Sequence, residues 1–161
     1  MKDSASILEK ALRGKYAHVE PLRALDGLNA KLANHKLSEG IPSCWEILSH
    51  MEYWQELILA AIRGENVKWP EHATKGWSTM VNNGDDSDWN QLVEHFSNGL
   101  KEAEKLSQKS ELTRSLQGWR NISAAEALHI IAIHNSYHLG QLVLLRKQQG
   151  SWPPPGGGNT W

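Results

Sequence analysis

The chain has 161 residues, enough for one domain to bury a core without disulfide or metal staples. Its 17 Lys+Arg against 18 Asp+Glu leave a formal net charge of -1 at pH 7, so there is no basic stripe for a phosphate backbone and no nucleic acid is expected as a partner. The single cysteine, Cys44, cannot form an internal disulfide, which points to a cytoplasmic protein.

The N-terminal segment, Met1 to Lys10, carries charges where a secretory leader would carry its apolar stretch. Within it Ser6-x-x-Glu9 matches a capping box, in which the serine and the glutamate satisfy free backbone N–H groups reciprocally. That predicts a helix near 4–13, ended by Gly14. Residues 14–42 then form a long connection with room for a short helix around Pro21 to Leu28. Ser43-x-x-Glu46 starts a second long helix, 43–63, closed by Gly64. Its aliphatic run LILAAI, Leu57 to Ile62, falls far short of the roughly 20 residues that span a bilayer, so no membrane role is expected.

Residues 65–86 make a second long connection, and Trp69 and Trp77 within it predict a lid with contacts of its own rather than a spacer. Asp86 or Ser87 caps a third helix, 87–107; Ser123-x-x-Glu126 starts a fourth, 123–149, before Gly150. No stretch alternates with the period of a strand and no repeat is present. The fold class is therefore all-α, a four-helix bundle with long connections, in a single domain over 1–161. The tail 152–161, WPPPGGGNTW, cannot be regular structure, and its two end tryptophans predict that it packs back on the bundle or on a second subunit.

Histidines sit where apolar residues are expected. At about 100° per residue, His134 and His138 of the fourth helix lie about 40° apart on the stripe that holds Ala127, Ile131, Gln141 and Leu145, whereas His129 is about 140° away on the outside. In the second helix His50 shares a stripe with Ile47, Trp54, Leu57 and Ala61, opposite Ser49, Glu52, Gln55 and Glu56. Each buried neutral imidazole must satisfy two nitrogens, so three of them on inner faces call for a common partner. A divalent metal ion is one such partner, bound by an i,i+4 pair and a third histidine from the neighbouring helix. The other reading is three hydrogen-bonded core histidines, and helical spacing alone does not decide between them.

SCWEILSHMEYW, His134 followed by NSYHLGQLVLLRK, and the terminal WPPPGGGNTW together resemble the DinB/YfiT-like family of bacterial metal-binding four-helix proteins, from about Ala24 to the C-terminus. The resemblance implies a metal triad of His50, His134 and His138 holding zinc or nickel, and a homodimer. It also implies the activity of a metal-dependent hydrolase, or of a transferase or isomerase that uses a low-molecular-weight thiol.

Three neutral nitrogens leave an ion its full charge and an open position, as in catalytic rather than structural sites. Asn135 stands where the glutamate base of the HExxH metalloproteases would be, which disfavours peptide hydrolysis by that scheme. Glu46, about 40° from His50, and Tyr137, about 60° from His134, are the candidate proton carriers, and Gln141 is a candidate for a supporting or substrate hydrogen bond. Glu46 also completes a capping box and Tyr137 can simply pack. Cys44 reads as an inert thiol, and His72 as the residue to check for a fourth ligand. Two functions follow: an enzyme activating water or a small thiol, or a non-catalytic metal-binding stress-response or small-molecule-binding module.

Overall fold

The computed structural model describes residues 2–77, 84–109, 112–116, 119 and 121–159, with side chains from Ala5 onward. Its elements in chain order are the helices α1 (Lys2–Arg13), α2 (Pro21–Leu25), α3 (Ala30–Asn34) and α4 (Cys44–Arg63), a 3-10 turn (Ala73–Trp77), and the helices α5 (Asp86–Ser107) and α6 (Ala124–Gln148). The chain is all-helical: among the described residues the one β feature is an isolated antiparallel bridge, Ser115 to Ser123. No described helix is long and apolar enough to cross a membrane.

Two of the expected helix starts are present with full reciprocity. Ser43 Oγ accepts from Glu46 N–H at 3.2 Å while Glu46 Oε2 accepts from Ser43 N–H at 2.7 Å, and Ser123 and Glu126 repeat the arrangement. Gly64 closes α4 in the left-handed conformation (φ 89°), donating to the carbonyls of Ala60 and Ala61; only glycine takes that backbone without strain. The Ser6 start is corrected: α1 already runs from Lys2, so Ser6 lies in its second turn and caps nothing. The α5 cap is Asp85, not Asp86 or Ser87. Its carboxylate accepts from the N–H groups of Ser87 and Asp88, and Asp88 reaches back to Asp85 N–H. The single short helix expected near 21–28 is two, α2 and α3, divided at Asp26–Asn29.

Helix α4 lies between α5 and α6, while α1 packs against both α5 and α6. The core falls into two clusters. One gathers Trp45, Ile47, Leu48, Met51, Trp89, Phe96 and Leu142 under α2 and α3; the other gathers Leu12, Ile58, Leu59, Leu128 and Ile131 towards the α1 end. Because α4 has neighbours on two sides, its far face is not free. Gln55, read from the sequence as outward, is 2% exposed. Its Nε2 donates to Phe96 O at 3.0 Å, and its Oε1 accepts from Asn135 Nδ2 at 3.1 Å, tying α4 to both α5 and α6. Ser49, also placed on that far face, is buried as well.

The segment after α6 lies against the bundle. Trp152 packs on the first core cluster, Pro154 is buried, and Arg23 Nε donates to Gly157 O at 3.2 Å. Trp161 falls outside the described residues. The two tryptophans of the 65–86 connection go to different places: Trp69 stacks on Trp119 with centroids 4.5 Å apart, and Trp77 stacks on His50.

Candidate metal centre

His50 stands in the middle of α4, and His134 and His138 face it from α6, one turn apart. His50 Nε2 and His134 Nε2 are 3.3 Å apart, and one nitrogen from each of the three rings lies within 4.8 Å of the others. Two donors at roughly 2.0–2.1 Å from a tetrahedral ion are themselves about 3.3 Å apart, so the spacing suits a shared cation. The three side chains are positioned closely enough to hold one metal ion, and among the described residues no fourth His, Cys, Asp or Glu joins them. His72 is exposed and outside the group, and His129 is exposed on the outer face of α6.

The sequence likeness agrees with this geometry. The DinB family model matches residues 22–158. The chain belongs to the DinB family. No curated protein and no solved structure matches it significantly. Helix α1 precedes the matched region, yet in this DinB-family chain it packs on α6, the helix that carries two of the three histidines.

The residues around the triad have directed contacts. His138 Nδ1 and Gln141 Oε1 are 2.8 Å apart; the amide oxygen only accepts, so Nδ1 carries the proton and Nε2 keeps a free lone pair. Trp77 stacks on His50 at 3.9 Å and 15°, and also meets the edge of His138. Tyr137 is 67% exposed and its ring meets His138 edge-on at 5.0 Å. Glu46 uses Oε2 on Ser43 N–H and Oε1 on Lys36 Nζ, at 2.8 Å. Asn135 turns away from the triad to Gln55 and is buried, so the residue at the HExxH glutamate position is an interhelical tie.

Sequence reasoning expected Trp77 to make contacts as part of a lid but did not place them on His50, and it missed Gln55's burial. Gln55 carried no local signal.

Burial chiefly, with the charge of neighbouring histidines, pushes the pKa of His50 and of His134 down from 6.5 to about 4. His138 is lowered as well, again chiefly by burial. All three are therefore neutral at pH 7 with lone pairs available to a cation. Cys44 is buried and its thiol is pushed up to about 11, which makes it inert.

The lowered values carry a stability consequence. An unfolded chain takes up protons on these rings below about 6.5, whereas the folded one resists until about 4. Stability is thus full above about 6.5 and is lost as the pH falls towards 4. Each ring shifted from 6.5 to about 4 accounts for about 3 kcal/mol between pH 7 and pH 4, and screening at the partly exposed His134 reduces its share, so the metal-free protein should lose on the order of 3–6 kcal/mol from this source. Urea denaturation across that range checks it; in a His50→Phe/His134→Phe variant the pH slope should flatten.

Proposed function

We propose that the protein is a metal-dependent enzyme whose His50, His134 and His138 hold one divalent ion, zinc or nickel, and that it acts on a small electrophile with water or a low-molecular-weight thiol as nucleophile. The observation that carries this reading is the 3.3 Å spacing of the His50 and His134 Nε2 atoms, together with a set of protein donors that, among the described residues, stops at three. A divalent ion in such a setting supplies Lewis acidity, bringing the ionisation of a water or thiol close to neutral pH. The chain's own residues prepare the site. The three rings are kept neutral, and Gln141 fixes the tautomer of His138. Tyr137 forms the outer rim beside His138, and Glu46 serves the start of α4. A buried, unpaired Cys44 is in keeping with a cytoplasmic protein.

One observation favours the non-catalytic alternative, a metal-binding stress-response or small-molecule-binding module. Both oxygens of Glu46 have partners and Asn135 faces the core, so neither supplies a free general base to the triad. The experiment that separates the two is a screen of zinc- and nickel-loaded protein for thiol conjugation and for ester and amide hydrolysis. Metal-dependent turnover that a His134→Ala variant lacks supports the enzyme. Full metal occupancy with no turnover in any assay supports the module.

A homodimer through α6 is part of the same proposal. The exposed positions of α6 run Glu126, His129, Ile133, Tyr137, Gly140, Leu144, Lys147 and Gln148, an uncharged stripe between an acidic and a basic end. Ile133 is 52% and Leu144 56% exposed, and a Cβ at Gly140 would meet nothing within 4 Å. A second copy laid antiparallel along this stripe would cover about 16 Å of apolar helix and set Glu126 beside the partner's Lys147. Sedimentation should find a dimer that Ile133→Glu/Leu144→Glu converts to monomer. A wild-type monomer at tens of micromolar would refute the interface.

A further inference from the structure

We propose that Gly76 and Trp77, in the 3-10 turn outside the long helices, are positioning residues of the histidine centre, clamping the His50 ring so that its Nε2 faces the other two histidines. The inference rests on the three-histidine reading above and adds to it a contribution from the 65–85 connection.

Two separate contacts are needed to fix an imidazole, and the turn supplies both. Stacking sets the plane of the ring: the Trp77 indole lies 3.9 Å from the His50 centroid at an interplanar angle of 15°. A half-turn about Cβ–Cγ would keep that plane while exchanging Nδ1 with Cδ2 and Nε2 with Cε1, so stacking alone does not hold Nε2 towards the other two histidines. The Gly76 main chain does. A Cβ built on Gly76 would lie 3.0 Å from His50 Nδ1, 2.6 Å from Trp54 Nε1 and 3.2 Å from the Tyr53 ring, so only a residue without a side chain can come this close. His50 Nδ1 is fully buried against this main chain and has no well-aligned hydrogen-bond partner among the described residues. A polar atom so placed is best served by the nearest backbone carbonyl, which holds the proton on Nδ1 and leaves the Nε2 lone pair free. Trp77 also touches His138 edge-on at 5.7 Å, so one indole braces ligands from both α4 and α6.

Gly76 is not in the left-handed region, so alanine is tolerated by the backbone there and acts by pushing the turn away from Trp54, Tyr53 and His50. The test titrates nickel into chelator-stripped full-length protein by calorimetry, for wild type, Gly76→Ala, Trp77→Ala and Trp77→Phe. Thermal unfolding of each metal-free protein is followed alongside. Gly76→Ala and Trp77→Ala should weaken nickel binding about 10–100-fold, as loss of a group that orients a ligand does. Trp77→Phe, which keeps a flat ring over His50, should recover most of the affinity. Nickel should also quench tryptophan emission more in wild type than in Trp77→Phe. Wild-type affinity in both Gly76→Ala and Trp77→Ala would overturn the proposal while leaving the triad intact. So would a loss of affinity that Trp77→Phe shares in full. A wild-type protein that takes up no nickel or zinc would overturn the three-histidine reading itself, and this inference with it.

Discussion

His134→Ala is expected to abolish stoichiometric metal binding while the helices remain formed. The variant removes one of three donors whose nitrogens lie within 4.8 Å of one another, and no other His, Cys, Asp or Glu stands close enough to replace it among the described residues. The loss should exceed the about 10–100-fold expected when only a supporting residue is removed. The fold should change little, by roughly 1 kcal/mol, because His134 is only partly buried and both core clusters are built from other side chains. His129→Ala, on the outer face of the same helix, should keep its metal. Metal analysis and thermal unfolding of the two variants together check this. A His134 variant that keeps its ion would remove His134 from the site.

The largest stability effect is expected at Arg146. The residue is 1% exposed, yet among the described residues no carboxylate is hydrogen-bonded to its guanidinium. It donates instead to three main-chain carbonyls: Ala24 O, Asp26 O at 3.0 Å, and Ser151 O at 2.6 Å. Trp152 lies against it as well, 5.6 Å from ring centroid to guanidinium. Burial lowers its pKa, and the nearby negative charge of Asp26 opposes that shift. The side chain thus joins α6, the α2–α3 junction and the start of the tail. Arg146→Ala leaves those carbonyls without donors in a dry setting, and should cost about 3–5 kcal/mol. Arg146→Lys should recover only part of this, since an ammonium cannot reproduce the planar fork. Chemical denaturation measures the loss. A cost below about 1 kcal/mol would mean that water replaces the guanidinium at those carbonyls.

Local signals in the chain foretold local structure well and through-space contacts poorly. Ser43-Glu46 and Ser123-Glu126 act within one turn, so their pattern alone located the starts of the two helices that carry the histidines. The same pattern at Ser6-Glu9 failed because a serine three residues before a glutamate also fits inside a helix that began earlier. At DDSD, several adjacent acceptors compete for one cap, and Asp85 wins because it can bind two N–H groups while Asp88 returns the bond. The phase of His50, His134 and His138 was legible because a helix turns by a fixed angle, and all three indeed point inward. Gln55 was not, since dividing α4 into a core face and a solvent face assumes one neighbour where there are two. The stack of Trp77 on His50 depends on where the connection after α4 carries the 3-10 turn, and no spacing rule encodes that.

The central claim is one ion held by three imidazoles with a coordination position left open. X-ray absorption of nickel- or zinc-loaded protein tests it most directly. Three imidazole nitrogens are expected, for zinc at roughly 2.0–2.1 Å, with the remaining donors being light atoms from solvent. Adding a small thiol should bring a sulfur into the shell. Fewer than three imidazoles, or a fourth donor from the protein that no added thiol displaces, would contradict it.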